Sequence, residues 1–243
     1  MKAIWKEQET EHYVFHYKQG SLAEKEIQEV IELQESCFKE ITDRLEFVPQ
    51  KKIIYWLCDN RKELMHASGF EYETNGVTFL DRVNPTIYAV YNEEVRCIGC
   101  HEDVHAIVAE YACPNSIAVI EGLAMYFDKE WWGIPNELCT RVYLEDKMYQ
   151  RLRYMIRDDE VFYQVEDRIS YPIMGAFTAF LIEEYGMEKY KKVYKECNEW
   201  GKAFQHIYGK SLHDLEIEFR EMIMSRDYSA EQLESARKEL YAD

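Results

Sequence analysis

Cys100-His101-Glu102-Asp103-Val104-His105 is the stretch from which the rest of the chain is read. Residues four apart share one face of a helix, so His101 and His105 point the same way and can grip one metal ion, with Glu102 beside that grip. In this His-Glu-x-x-His arrangement two neutral imidazoles hold zinc and the glutamate takes a proton from water activated by the metal. The motif is short and has two free positions, so its flanks decide its meaning. Upstream, Pro85-Thr86-Ile87-Tyr88-Ala89-Val90-Tyr91-Asn92 is rich in β-branched and aromatic residues and reads as a strand. Downstream, Ile107 and Val108 extend the apolar stripe begun at Val104, which predicts a helix from about Glu94 to Tyr111.

Cys113-Pro114-Asn115 breaks that helix, and a second is predicted from Asn115 or Ser116. Its core, Ile117-Ala118-Val119-Ile120-Glu121-Gly122-Leu123-Ala124-Met125-Tyr126-Phe127, is apolar apart from Glu121. A carboxylate buried in such a run needs a partner for its charge, and a metal ion is among the few that suffice. The competing reading is a solvated glutamate on an amphipathic helix.

His101-Glu102-x-x-His105 followed by Glu121-Gly122-Leu123-Ala124-x-Tyr126-Phe127 resembles the gluzincin metallopeptidases of the peptidase MA superfamily. The segments Tyr171-Pro172-x-x-Gly175-Ala176-Phe177-x-x-Phe180-Leu181 and Ala203-Phe204-x-x-x-Tyr208-Gly209-Lys210-Ser211-Leu212 are similar to the C-terminal helices of such proteins. The resemblance covers the later part of the chain and touches the first 80 residues only loosely. It implies a zincin-like α+β fold, Zn2+ as cofactor, Glu121 as third ligand after His101 and His105, and Glu102 as general base. It also implies an oxyanion donor from the C-terminal lobe, for which Tyr171 is the candidate and Tyr126 and His206 are alternatives. The strand at Thr86 to Tyr91 would pair with an extended peptide, as the corresponding edge strand does in zincins.

The sequence departs from the family in three ways. Fifteen residues separate His105 from Glu121, a few fewer than in thermolysin or the alanyl aminopeptidases, so the turn between the helices is tight. The segment with which aminopeptidases hold a free amino terminus is not visible, which weakens an exopeptidase reading. Position 125, where thermolysin-like enzymes carry an aspartate that orients a zinc histidine, is Met. Metal-bound histidines nearly always donate their other N–H to an acceptor, and Asp128, Asp103 or a backbone carbonyl are the candidates.

The 243 residues suffice for one domain with a sizeable core, divided into an N-terminal α/β lobe to about residue 112 and a helical lobe over about 113–243. His12-Tyr13-Val14-Phe15-His16-Tyr17 alternates like a strand, and His12 and His16 are read as ordinary strand residues because nothing nearby completes a metal site. Ser21-Leu22-Ala23-Glu24 is a capping box that opens a helix with Ile27, Val30, Ile31, Cys37, Phe38, Ile41 and Leu45 on its buried stripe, ending before Pro49. Lys52 to Cys58 reads as a buried strand, Arg61 to Ala67 as a short helix, and Asn75-Gly76 as a turn between strands, the second being Val77 to Leu80. A sheet of about four strands results. Beyond Pro135 the pattern is helical: Tyr143, Leu144, Met148 and Leu152 fit one helix, Ile173 to Tyr185 another closed by Gly186, and Ser211 and Ser229 open two more.

The formal charge of −17 repels nucleic acid and anionic membrane surfaces, so neither is expected as a partner; it favours basic peptides or simply solvates the surface. Residues 1–7 lack the apolar core of a signal peptide, no run reaches the length of a membrane span, and seven cysteines suit reduced thiols, so a cytoplasmic protein is expected. Cys97-Ile98-Gly99-Cys100-His101 also matches the C-x-x-C-H signature of covalent haem attachment. That reading leaves Glu121 unexplained and needs His101 away from His105. The same two thiols could form a redox pair, or bind a second metal for which no second cysteine pair is spaced to complete a site; Cys97 and Cys100 are read as buried reduced thiols at the start of the helix. The sequence therefore predicts a zinc-dependent hydrolase of peptide bonds acting on a peptide or protein. The alternative is a catalytically silent zincin-like module that binds such a partner.

Overall fold

The computed structural model describes residues 4–196 and 199–242, which form two compact units, Met1–Tyr111 and Ala112–Asp243. The first unit carries a mixed five-stranded sheet. Its elements in chain order are β1 (Trp5–Glu9), β2 (Tyr13–Lys18), α1 (Leu22–Lys25), α2 (Ile27–Leu45), β3 (Ile53–Cys58), α3 (Arg61–Ser68), β4 (Gly76–Phe79), β5 (Thr86–Val90) and α4 (Cys100–Val108). The strands are ordered β1-β2-β3-β5-β4, with β2, β3 and β5 parallel and the outer strands β1 and β4 antiparallel to their neighbours.

Burial follows the side-chain pattern of each strand. Tyr13, Phe15 and Tyr17 of β2 alternate inward, as a strand with one covered face requires, and Tyr13, Phe15 and Tyr55 meet as a cluster of buried rings. Every residue of β5 is buried, consistent with its apolar run and its place between β3 and β4. α2 packs along α4 and turns Val30, Gln34, Cys37, Phe38 and Ile41 inward.

Several expectations are corrected. The sheet has five strands, because Trp5–Glu9, polar and half-exposed, lacks the apolar signal yet pairs with β2 along its whole length. Thr86 to Tyr91 is not an edge strand: β5 is hydrogen-bonded on both sides, and the edge beside it is β4. Asn75-Gly76 does not join two strands: the element before it is the helix α3, and Gly76 is itself the first residue of β4. The capping box expected at Ser21 is only half formed, Ser21 Oγ accepting from the Glu24 N–H while Glu24 Oε2 accepts from the Gly20 N–H; it opens only the four-residue α1, and the chain restarts as α2 at Ile27. The motif helix begins at Cys100 rather than Glu94, because Tyr91 bridges Arg96 and Asn92 Oδ1 accepts from the backbone N–H groups of Glu94 and Val95, which fixes a turn there.

The second unit is helical apart from one small hairpin. It comprises α5 (Ile117–Asp128), the hairpin strands β6 (Glu130–Trp131) and β7 (Ile134–Pro135), α6 (Asn136–Glu145), α7 (Leu152–Arg157), α8 (Asp159–Gln164), α9 (Asp167–Tyr185), α10 (Met187–Glu196), α11 (Trp200–Tyr208), α12 (Leu212–Ser225) and α13 (Ala230–Leu240). The single helix expected through Tyr143 and Leu152 is two, since α6 ends at Glu145 and the backbone N–H groups of Met148 and Tyr149 turn back onto the Tyr143 carbonyl. α9 starts a turn and a half before Ile173, takes Pro172 in its first turns, and ends at Gly186 as expected. Ser211 and Ser229 each form a complete capping box.

α5 and α9 are the central pair of this unit, and glycines let them approach. A Cβ on Gly122 would lie 2.7 Å from Thr178 Oγ1 and 3.1 Å from the Met174 carbonyl oxygen; one on Gly175 would lie 2.6 Å from Met125 Cβ and 2.6 Å from Asn136 Nδ2. Each helix thus has a glycine where the other's side chains come closest, and Glu121 sits immediately before that contact. Phe177, Phe180, Phe204 and Phe219 fill the core behind α9. No helix of the described residues is long and apolar enough to cross a membrane.

Candidate metal centre

The nine residues of α4 place His101 and His105 one turn apart, with ring centroids 5.1 Å apart and planes crossed at 80°. Both are half-buried, while Val104, Ala106, Ile107 and Val108 on the other side of the helix are buried. The apolar stripe orients the helix, and the imidazoles take the face it leaves.

Asp103, between Glu102 and Val104, is fully buried and anchors the helix from inside the first unit. Its Oδ2 accepts hydrogen bonds from the Tyr13 hydroxyl at 2.5 Å and from Gln34 Nε2 at 3.0 Å. Gln34, fully buried on α2, also donates to the Gly99 carbonyl at 3.0 Å, and its Oε1 accepts from the Gly99 N–H at 2.9 Å. The amide therefore acts as a template for the residue that caps α4. Burial first, and then the Asp103 charge, hold the Tyr13 phenol well above its ordinary pKa, so it stays a donor.

Glu102 is tied to the edge strand. Thr78 Oγ1 on β4 donates to Glu102 Oε2 at 2.6 Å. The other carboxylate oxygen lies against Gly76, where a Cβ would come within 2.5 Å of Oε1 and 2.9 Å of Cys97 Sγ. One oxygen of the expected base is thereby held by a hydroxyl, and a glycine makes room for the other.

Glu121, half-buried on α5, stands among acidic and phenolic groups of the second unit. Burial and then the Glu121 charge raise the Asp167 carboxyl above the usual range. Burial, then the charges of Glu121, Asp159 and Asp167, raise the Tyr163 phenol. Asp159 Oδ1 also accepts from the Ile117 N–H at 2.9 Å and so secures the start of α5. Concentrated negative charge of this kind is what a bound cation offsets.

Among the described residues, His101, His105 and Glu121 come together as a group that could hold a metal ion, each offering one ligand atom within 4.8 Å of the others. An ion with tetrahedral ligands at about 2.1 Å sets them roughly 3.4 Å apart. Two imidazoles and a carboxylate are a donor set zinc accepts, and they leave a fourth position for a substrate or water.

The other candidate residues take the following places in the fold. Tyr171 is in the second turn of α9, its ring 5.8 Å from Trp131 and 5.5 Å from Phe162. Tyr126 is on α5 with its ring 5.1 Å from Phe127, and His206 is exposed on α11. Asp128 ends α5, and Asp103 Oδ2 is engaged by Tyr13 and Gln34. His12, just before β2, bonds Glu35 through Nδ1 at 2.5 Å and stacks on Phe38; His16 stacks on Trp56.

Sequence reasoning gives Gln34, Gly76 and Thr78 no role at the site, reading Gly76 as a turn residue and Thr78 as a strand residue. Gln34 did leave a signal, a polar residue at a core position of the α2 stripe between Val30 and Cys37. Thr78 had none, since its role depends on β4 lying alongside α4.

The fold and this group of side chains define a mixed α+β protein with a candidate His-His-Glu metal centre. No protein-family model matches the chain, and no curated protein matches it.

Proposed function

We propose that the protein is a zinc-dependent hydrolase of peptide bonds of the gluzincin type, with a zincin-like fold. The observation that carries this reading is the convergence of His101, His105 and Glu121 with the Glu102 carboxylate held one residue from the first ligand. His101, His105 and Glu121 would hold Zn2+. Zinc in such a site supplies Lewis acidity toward a carbonyl oxygen and toward water.

The chain's own residues supply the rest. Glu102 takes the proton of the attacking water and delivers it to the leaving amine. Thr78 keeps one Glu102 oxygen occupied, so the oxygen beside Gly76 is the one left for that proton. Asp103 and Gln34 fix α4 so that both imidazoles and Glu102 keep their directions. An extended peptide would lie along the free edge of β4, the strand that carries Thr78. Tyr171 remains the proposed donor to the developing oxyanion. The acidic surface disfavours nucleic acid and anionic membrane as partners and suits a cytoplasmic protein acting on peptides or proteins.

The test begins with metal content of the purified protein by mass spectrometry. About one zinc per chain, lost in His105→Ala and in Glu121→Ala, is expected. Glu102→Gln should keep the zinc and lose cleavage of a quenched fluorescent peptide library. Zinc retained by Glu121→Ala would overturn the gluzincin assignment. Zinc bound without any cleavage would leave a silent peptide-binding module in place of an enzyme.

A further inference from the structure

Outside the metal centre, two thiols lie against each other. Cys100, the first residue of α4, is buried with its Sγ 2.6 Å from the Sγ of Cys37 on α2, which is buried too. The C-x-x-C reading pairs Cys100 with Cys97; the sulfur at 2.6 Å belongs to a residue 63 positions away in sequence. Of the other cysteines, burial pushes the Cys58 and Cys139 thiols up to about 12, and Cys113 is exposed.

We propose that Cys37 and Cys100 are an oxidative modification site, closed by a peroxide-class oxidant into a disulfide that ties α2 to the start of the motif helix. Both partners are held by helices that already pack on each other, so the sulfurs reach bonding distance of about 2.05 Å with a shift of roughly half an ångström. The chemistry balances with one hydrogen peroxide. The sulfur of one cysteine attacks a peroxide oxygen, the O–O bond breaks, and a sulfenic acid and one water form. The second sulfur then displaces the hydroxyl of the sulfenic acid as a second water. The S–S bond has formed, two electrons have passed from sulfur to oxygen, and both thiol protons end in water.

The position of the link gives it a consequence. It closes a loop of 62 residues, 38–99, and fastens the residue next to His101, the point where Gln34 already templates the chain. A cross-link over a loop of that length raises stability by restricting the unfolded chain. The oxidised protein is thus a stapled form of the first unit, reversible by a thiol reductant. The inference does not depend on the metal or hydrolase reading.

The test treats the full chain with hydrogen peroxide, then blocks remaining thiols and maps peptides by mass spectrometry without reduction. The expected result is a linked pair of peptides containing Cys37 and Cys100, lighter by two hydrogens, and a melting temperature several degrees higher that returns to its starting value with dithiothreitol. Cys97→Ser should keep both effects. Cys37→Ser and Cys100→Ser should each lose both, with Cys37→Ala as the second variant should the serine chain fail to fold. A link between Cys97 and Cys100, or Cys37 and Cys100 both recovered as blocked thiols or as separate sulfinic acids, would overturn the proposal.

Discussion

Replacing Gln34 by Leu tests how the motif helix is held. Leu has nearly the same volume and suits the α2 stripe, so the change removes hydrogen bonds while keeping packing. Three are lost: two with the Gly99 backbone, at 3.0 and 2.9 Å, and one with the Asp103 carboxylate at 3.0 Å. Bonds between neutral groups contribute about 0.5–1.5 kcal/mol each and one to a charged group about 1.5–3 kcal/mol, so the simple sum is roughly 2.5–6 kcal/mol. The three share one amide and are not additive, and Leu returns some transfer free energy. The expected loss is therefore about 3 kcal/mol, a large part of the ~5–15 kcal/mol typical of a folded domain. Urea unfolding followed by circular dichroism measures it, with the slope unchanged. Gln34→Glu sharpens the test. It keeps the acceptor for the Gly99 N–H but sets a second carboxylate oxygen at the 3.0 Å contact with Asp103. At an effective dielectric constant near 20 that repulsion is about 5 kcal/mol, so Glu should be worse than Leu at neutral pH. A Gln34→Glu chain as stable as wild type, or more stable than Gln34→Leu, would refute the network.

Gly76→Ala forces Glu102 Oε1 and Cys97 Sγ aside, and the flexible carboxylate can yield, so stability should fall by only about 1 kcal/mol in urea while cleavage of the peptide library falls at least tenfold. Thr78→Val should reduce cleavage with zinc retained, and Thr78→Ser should recover most of it, because only the hydroxyl reaches Glu102. His16 has its pKa lowered by burial, against the raising effect of Glu7. A group depressed in the folded state supports stability above its unfolded pKa of about 6.5 and loses that support as pH falls through the folded value, so His16→Asn should flatten the stability profile below about pH 6.5, with the wild-type midpoint read by NMR titration. Ser211→Ala removes the capping box of α12 and should cost about 1 kcal/mol in thermal or urea unfolding, without effect on bound zinc.

How much was legible depends on whether the cause was local. The α+β class, the motif helix, the apolar helix around Glu121 and the caps at Ser211 and Ser229 follow from periodicity and end signals carried by neighbouring residues. β1 was missed because an edge strand needs only backbone partners, and Trp5–Glu9 offers those with polar side chains. The place of β5 was misjudged for the complementary reason. Proximity to the motif suggested an edge, whereas the burial of Thr86–Val90 on both faces belongs to an inner strand, and its unbroken apolar run already said so. The correction moves the free backbone edge to β4 and with it the meaning of Thr78 and Gly76, which are ordinary turn and strand residues until β4 lies beside α4. Gln34 is the intermediate case. Its polarity within a core stripe marked it as a residue with a buried partner, but Gly99 and Asp103 lie some 65 residues along, and only the packing of α2 on α4 names them. Local chemistry thus wrote two of the candidate ligands and the proposed base into one short motif. The groups that aim them are scattered over three other elements, and those are what a sequence read by itself conceals.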